Sequence, residues 1–195
     1  GAIAAPLFSA FGPEPIKDRV QRAEGKVIVT TPKLLAKVNE IRSELPSLEA
    51  VIVIDTRDET PVAGEDLAWS ELCDGMSENF TIEPTGPEDW SIMHFTSGTT
   101  GLPKGAAHVH NTVVSHYATG KYVLDFQEDD IYWCTADPGW VTGTSYGMFA
   151  PWSNGITQVI DEGGFGANRW YEIIQKFNVT VWYTAPTAIR LLMKA

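Results

Sequence analysis

Residues 96–105, Thr-Ser-Gly-Thr-Thr-Gly-Leu-Pro-Lys-Gly, hold three glycines, four hydroxyl side chains and one lysine in ten positions. The run Ile92-Met93-His94-Phe95 precedes them and favours a β-strand. Glycine brings backbone N–H groups close to a ligand, and successive N–H groups in such a turn form a cradle for anions. The hydroxyl groups add donors, and Lys104 adds a compact positive charge. This glycine-rich run therefore predicts binding of a polyphosphate.

The glycine-rich run is not a Walker A loop. That loop needs a lysine preceded by glycine and followed by serine or threonine. Here Pro103 precedes Lys104 and Gly105 follows it, so the spacing excludes a kinase or GTPase of the Walker type. The alternative is an ordinary surface loop, since loops favour glycine and threonine. The density of hydroxyls, the Pro-Lys-Gly ending and the preceding strand make phosphate binding the better interpretation.

The charge balance excludes several classes of partner. The sequence has 14 Lys and Arg against 25 Asp and Glu, a net charge of −11. A nucleic-acid partner requires a basic face, and an anionic membrane attracts basic segments, so neither is expected. No apolar run reaches transmembrane length, and the first ten residues lack the basic start of a signal peptide. A cytoplasmic location is the expectation.

The cysteines and histidines do not predict a metal site. Cys73 and Cys134 are too few for a disulfide framework and lack metal-binding spacing, and Cys134 is expected in the core. His108 and His110 alternate on a predicted strand and would share one face, yet no third ligand follows at a suitable distance. The acidic pairs 129–130 and 161–162 are expected at solvated element ends.

Strand and helix patterns alternate along the chain, which predicts an α/β fold with parallel-rich sheets flanked by helices. Strands are predicted near residues 27–29, 51–54, 92–95, 131–135, 156–160 and 179–183. Helices are predicted over 13–24, from Pro32, over 111–124, after Gly139, over 168–177 and from Pro186. The β-branched run 51–54 predicts a parallel strand covered on both faces.

Residues 55–90 differ from their surroundings. They are acidic and polar, with a short helix predicted near 66–72. Because a long loop inside a compact domain is unusual, this segment is expected to join two α/β pieces, residues 1–54 and 91–195.

The glycine-rich run resembles the phosphate-loop signature of the AMP-forming, adenylate-forming ligases, which include acyl-CoA synthetases, luciferases and peptide-synthetase adenylation domains. Residues 133–147, Trp-Cys-Thr-Ala-Asp-Pro-Gly-Trp-Val-Thr-Gly-Thr-Ser-Tyr-Gly, and residues 181–190, Val-Trp-Tyr-Thr-Ala-Pro-Thr-Ala-Ile-Arg, are similar to the acetyl-CoA synthetases within that family. The resemblance runs from Gly1 to Ala195 and is weakest over 55–90. It implies part of the large N-terminal domain of such a ligase.

The resemblance implies an acid–thiol ligase that converts ATP, acetate and CoA to acyl-CoA, AMP and pyrophosphate through an acyl-adenylate. ATP would enter with Mg²⁺, and no tightly bound cofactor is implied. The partners would be small-molecule substrates. A propionate, medium-chain or aryl acid–CoA ligase is the alternative within the same class.

The resemblance also assigns roles to residues. Lys104 and Thr96 are implied as catalytic residues. The ATP phosphates would be held by Thr96, Ser97, Gly98, Thr99, Thr100, Gly101, Lys104 and Gly105. In the segment 137–146, here called the Trp140 segment, Trp140, Val141 and Thr142 would line the acid pocket, and Thr142 would also border the CoA thiol. The alternative is that Trp140 and Val141 are ordinary core residues.

Two positions depart from the family pattern. The paired arginines that some acetyl-CoA synthetases use for CoA are absent around Ala36, Lys37 and Asn39, which leaves Lys37 as the substitute candidate. Gly166 stands where some members have asparagine.

Relative to the family, the chain begins inside the N-terminal domain and stops before its end, so we expect a fragment that is inactive without the remainder of the enzyme. The other hypotheses are a module that binds nucleotide or pyrophosphate weakly, and a structural piece that self-associates through exposed sheet edges.

Overall fold

The computed structural model describes residues 1–54, 66–97, 101 and 103–194. The chain forms two units. The first contains Gly1–Ala5, Ser9–Thr85 and Met93–Ala107, and the second contains Pro6–Phe8, Gly86–Ile92 and His108–Ala195. The predicted division into 1–54, 55–90 and 91–195 stays a prediction, because residues 55–65 lie outside the described ranges.

The first unit contains a parallel sheet with helices. Its elements are α1 (Pro13–Arg22), β1 (Val27–Thr30), α2 (Pro32–Ile41), a 3-10 turn (Arg42–Glu44), β2 (Ala50–Val53), β3 (Leu67–Ala68) and α3 (Trp69–Cys73). Pro13 and Pro32 occupy the first turns of their helices, where a missing N–H costs nothing. The strands pair in the order β1-β2-β3, all parallel, with Val27 opposite Ala50.

The core of the first unit lies on one face of this sheet. Val38 of α2 packs against Val51 and Val53, all three at most 3% exposed. On the opposite face Val27 and Val29 are each 51% exposed. Within the described residues the cover predicted for both faces of strand 51–54 is incomplete, because on that opposite face Ile52 is half-buried and Ile54 is 38% exposed. A β-branched run reflects strand propensity and does not report how many faces are covered.

Strands β4 (Trp90–Ser97) and β5 (Pro103–Val109) form a two-stranded sheet. Because they are consecutive and only residues 98–102 separate them, they pair as an antiparallel hairpin. Its base is closed by Ser91, whose hydroxyl donates to the carbonyl of His108 at 3.2 Å. The His110 N–H also donates to the carbonyl of Asp89 at 3.0 Å. The hairpin contributes its outer part to the first unit and its base to the second.

The second unit is built around β6. Its elements are α4 (Thr112–Tyr122), β6 (Ile131–Cys134), α5 (Val141–Thr144), a π-helical turn (Ser145–Phe149), α6 (Ala150–Ser153), β7 (Thr157–Val159), α7 (Ala167–Phe177), β8 (Val181–Tyr183) and α8 (Pro186–Leu192). The strands are parallel in the order β7-β6-β8. Tyr132 packs with Phe126, Ala150 and Ile156, whereas Trp133 packs with Trp170 and Leu192.

Parallel strands with packed helices confirm the predicted α/β class. Element ends differ from the predicted ones by a few residues, as for the strand predicted over 156–160 and found as Thr157–Val159. Asn111 takes the predicted N-cap position of α4, although its side chain makes no cap hydrogen bond. In the ranges that the structure describes, no helix is both long and apolar enough to cross a bilayer.

Candidate functional site

The described residues of the glycine-rich run lie at the outer end of the β4–β5 hairpin. Thr96 and Ser97 are the last residues of β4, and Pro103 to Gly105 are the first of β5, so the two ends of the run are strand. Gly101 has φ +83°, a conformation that side-chain-bearing residues rarely adopt. The predicted ligands Gly98, Thr99 and Thr100 lie outside the described residues.

Lys104 and Thr96 are both exposed on this hairpin. Among the carboxylates in the described part of the chain, none forms an ion pair with the Lys104 ammonium. The ammonium is therefore accessible to an anion that approaches from solvent. The roles predicted for Thr96, near the end of β4, and for Lys104, at the start of β5, stay predictions.

Gly105 fits tightly against the side chains of β4. A Cβ at this position would lie 3.0 Å from Sδ of Met93 and 3.5 Å from Cε1 of Phe95. A Cβ here would require the Met93 side chain to shift, and a larger side chain would crowd β4 next to Lys104. Glycine at 105 therefore lets β5 pack closely against β4, in addition to the role that the resemblance assigns to it.

The sequence did not identify Arg19 as a neighbour of the hairpin. Its guanidinium carbon lies 4.1 Å from the ring centre of Phe11 and 5.9 Å from that of Phe95, within cation–π range. Burial lowers the pKa of Arg19. Because Phe11 and Phe95 are far apart in sequence, no local pattern predicts that they converge on this cation.

Hydrogen bonds between side chains and backbone groups of the Trp140 segment fix its conformation. The Asp137 carboxylate accepts the N–H of Gly139 at 2.7 Å, and the Thr144 hydroxyl donates to the carbonyl of Pro138 at 2.6 Å. A Cβ on Gly143 would overlap the carbonyl of Asp137. These contacts close a tight turn in which a side chain at 143 would collide with the backbone.

The three predicted pocket residues follow one another on this turn, and all are exposed. Trp140 is 47% and Val141 38% exposed, and Thr142 is exposed as well. The Trp140 ring lies 5.1 Å from that of Phe8, tilted by 43°. This exposure argues against the alternative that Trp140 and Val141 are core residues, while their contact with an acid stays a prediction.

Several secondary candidates have structural roles. Cys134 packs against the core as predicted, and burial raises the pKa of its thiol. The prediction that His108 and His110 share a strand face is wrong, because β5 ends at Val109. Lys37 donates to the carbonyl of Ser9 at 3.0 Å. Among the described residues, no group of three or more His, Cys, Asp or Glu is arranged to hold a metal ion.

In each acidic pair one carboxylate is exposed, as expected for Asp129 and Glu162, and the other is bound to neighbouring residues. Asp161 is ion-paired with Arg169, which lowers the pKa of the Asp161 carboxyl, and its side chain is only 9% exposed. Asp130 accepts the Thr180 hydroxyl at 2.7 Å and the Gln127 N–H at 2.8 Å. Both carboxylates tie loops to neighbouring elements.

Comparison with known proteins identifies the family. The chain matches the family described as AMP-binding enzyme across residues 1–195. It is 49% identical over 195 residues to acetyl-coenzyme A synthetase from Bacillus subtilis (strain 168), covering all of this chain and 33% of the relative. It is 42% identical over 210 residues to acetyl-coenzyme A synthetase from Rubrobacter xylanophilus, covering all of this chain and 32% of the relative. The chain spans about a third of the length of these relatives.

Solved structures agree with this assignment. An acyl-CoA synthetase from Brucella canis superposes with a TM-score of 0.89 at 31% identity, over 100% of this chain and 34% of that one. The anthranilate CoA ligase AuaEII, solved with anthranoyl-AMP, superposes with a TM-score of 0.86 at 26% identity, over 96% of this chain and 36% of that one. The match over the full chain and the shared fold show that this protein belongs to the AMP-binding enzyme family.

Proposed function

We propose that this chain supplies the pyrophosphate-binding hairpin and the acid-binding segment of an AMP-forming acetate–CoA ligase. The observation that carries the proposal is the exposed Lys104 in a glycine- and hydroxyl-rich run, in a chain 49% identical to a protein named acetyl-coenzyme A synthetase. ATP with Mg²⁺, acetate and CoA are the proposed substrates.

The proposed reaction has two steps. An acetate oxygen attacks the α-phosphorus of ATP, the bond from that phosphorus to the bridging oxygen breaks, and pyrophosphate leaves with the bonding electrons. The CoA thiol, losing its proton, then attacks the acyl carbon, and AMP leaves. In the first step negative charge accumulates on the departing β- and γ-phosphates. Lys104, the Thr96 hydroxyl and backbone N–H groups of the glycine-rich run would stabilise that charge.

The Trp140 segment would bind the acid. Trp140 and Val141 offer exposed apolar surface, and Thr142 offers a hydroxyl beside it. Because one methylene changes the binding free energy by only about 1–3 kcal/mol, preference for acetate requires steric closure of the pocket. Thr142 is also the proposed neighbour of the CoA thiol.

A segment exchange tests the function. The chain replaces the matching third of the Bacillus subtilis relative, and acetate-dependent ATP–pyrophosphate exchange is measured. We expect exchange activity that Lys104→Ala lowers about 10²–10³-fold. Lys121→Ala is the matched control, since Lys121 is an exposed lysine on α4 that contacts Tyr117. A folded exchange enzyme without activity, or an active one indifferent to Lys104→Ala, would refute the proposal.

Calorimetry on the 195-residue chain tests whether the β4–β5 hairpin binds pyrophosphate without the rest of the enzyme. Pyrophosphate should bind, and Lys104→Ala should weaken the affinity about tenfold, the effect of losing one charge-assisted hydrogen bond. Equal affinity of both proteins for pyrophosphate would count against the hairpin as its binding site.

An aryl acid–CoA ligase is the second candidate, favoured by the superposition on the anthranilate CoA ligase. The segment-exchange enzyme distinguishes the two when it is assayed with acetate, propionate, hexanoate and benzoate. A kcat/KM that is higher for benzoate than for the other three acids would support the aryl alternative.

A further inference from the structure

The helical stretch that begins at Val141 contains a π-helical turn whose cause lies in the sequence. α5 (Val141–Thr144) leads into Ser145–Phe149 and then α6 (Ala150–Ser153), and the Ala150 N–H donates to the carbonyl of Ser145, five residues back. Pro151 follows Gly147 by four residues. Proline has no N–H to donate, and its ring crowds the carbonyl four residues before it. The carbonyl of Gly147 therefore cannot receive its α-helical hydrogen bond.

A side chain from the sheet replaces that missing donor. Gln158, in the middle of β7, donates Nε2–H to the carbonyl oxygen of Gly147 at 2.6 Å. The orientation of the amide follows from chemistry, since only its NH₂ end can face a carbonyl oxygen. Its Oε1 is buried and accepts no hydrogen bond from the described residues. The turn is also close to the sheet at this point, because a Cβ on Gly147 would lie 3.4 Å from Sγ of Cys134.

The far end of the helical stretch is fixed independently. Asn154, directly after α6, donates Nδ2–H to the carbonyl of Tyr117 in α4 at 3.1 Å and to that of Ala150 at 2.8 Å. A change in the π-helical turn therefore has to be taken up on the side of α5. A change of helical register by one residue in the turn would rotate everything before it by about 100°.

We infer that Gln158 is a positioning residue: its amide stands in for the N–H that Pro151 lacks, keeps the π-helical turn, and so sets the direction of Trp140, Val141 and Thr142. The importance of Gln158 for substrate specificity rests on the proposed function, in which these three residues contact the acid. The effect of Gln158 on the geometry of the turn does not depend on that proposed function.

A double-mutant cycle on the 195-residue chain tests the inference without any ligand. Gln158→Leu should shift the amide NMR resonances of Val141 and Thr142 and speed hydrogen exchange at the Ala150 amide about tenfold, the effect of one lost hydrogen bond. Pro151→Ala restores a backbone donor to the carbonyl of Gly147. Gln158→Leu should then have little further effect in the Pro151→Ala background. Thr157→Val, at the exposed neighbouring position of β7, is the control.

A second variant covers the case in which Gln158→Leu fails to fold. Gln158→Glu keeps the shape but presents a carboxylate to the carbonyl of Gly147. It should reproduce the resonance shifts at pH 8 and lose part of them at pH 5, where a protonated carboxyl can donate. Unchanged resonances of Val141 and Thr142 in a folded variant, or independent effects of the Gln158 and Pro151 substitutions, would overturn the inference.

The consequence for specificity is measured in the segment-exchange enzyme. Gln158→Leu should raise the KM for acetate about tenfold and change kcat by less than about threefold, because it displaces the acid contacts and leaves the phosphate hairpin intact. Resonances that shift in the chain while the acetate KM stays constant would refute the assignment of Trp140–Thr142 to acid binding, and would support the role of Gln158 in the turn.

Discussion

The hydroxyl of Thr144 donates to the carbonyl oxygen of Pro138 at 2.6 Å, across the turn that carries Trp140. Thr144 is 1% exposed, so this carbonyl would lose a buried partner if the hydroxyl were removed. Thr144→Val keeps the shape of the side chain and should lower the free energy of unfolding by about 1–3 kcal/mol. Urea denaturation of the 195-residue chain measures the change.

Thr144→Ser is the matched control for this prediction. It retains the donor and loses only a methyl group, so its free energy of unfolding should fall less than that of Thr144→Val. The reverse order of the two variants would mean that packing of the methyl group, and not the hydrogen bond, holds the turn.

Gly105 is the second site where a small change should have a defined effect. Gly105→Val places branched carbons against Sδ of Met93 and the Phe95 ring, which a Cβ alone would approach to 3.0 and 3.5 Å. Overpacking of this kind costs about 1–3 kcal/mol, and we expect pyrophosphate affinity to fall with it because Lys104 is adjacent. Thermal unfolding and calorimetry measure the two effects.

Gly164→Ala is the control, because a Cβ at residue 164 would meet open space, and it should change neither stability nor pyrophosphate affinity. A Gly105→Val chain as stable as the parent would contradict the packing argument.

Gly143 should tolerate substitution less well than Gly105. A Cβ at residue 143 meets the backbone carbonyl of Asp137, whereas the nearest neighbour of residue 105 is the end of a flexible methionine. Gly143→Ala should therefore destabilise the chain by more than about 3 kcal/mol, and Gly105→Ala by less than about 1.5 kcal/mol. Urea denaturation of both variants in parallel gives the order. A smaller loss for Gly143→Ala would show that the turn at Asp137 can relax.

His116 should make stability depend on pH. Its ring stacks on Phe149 at 5.6 Å, and burial, with a smaller contribution from His108, lowers its pKa below the ordinary value of 6.5. The unfolded chain therefore binds a proton at a higher pH than the folded chain does. This contribution to stability is complete above pH 6.5 and is lost as the pH falls through that value towards the folded-state pKa.

Urea denaturation at pH 7.5 and pH 5.5 checks this dependence. His116→Gln should reduce the difference between the two free energies of unfolding, whereas His110→Gln, at an exposed turn position, should leave it unchanged. An undiminished difference in His116→Gln would assign the acid sensitivity to another group.

Local chemistry in the sequence predicted much of the fold. β-Branched and apolar runs identified β1, β2 and β6, and prolines at 13, 32 and 186 marked the helix starts, because proline fixes φ and needs no N–H there. The family followed from the glycine-rich run and the Trp140 segment, whose residue types and spacing are local properties. The same run predicted roles for Thr96 and Lys104, which stay predictions; the structure shows that Thr96 lies in β4 and Lys104 in β5.

The tertiary structure decided what depends on residues distant in sequence. Only packing shows that Val27 and Val29 lie on an open sheet face, that Arg19 reaches Phe95, and that Gln158 compensates for a proline seven positions earlier. Periodicity and propensity report the preference of a segment for helix or strand and the face it can bury. They carry no information on which distant side chain will meet that face, since that choice is made by the packing of the whole unit.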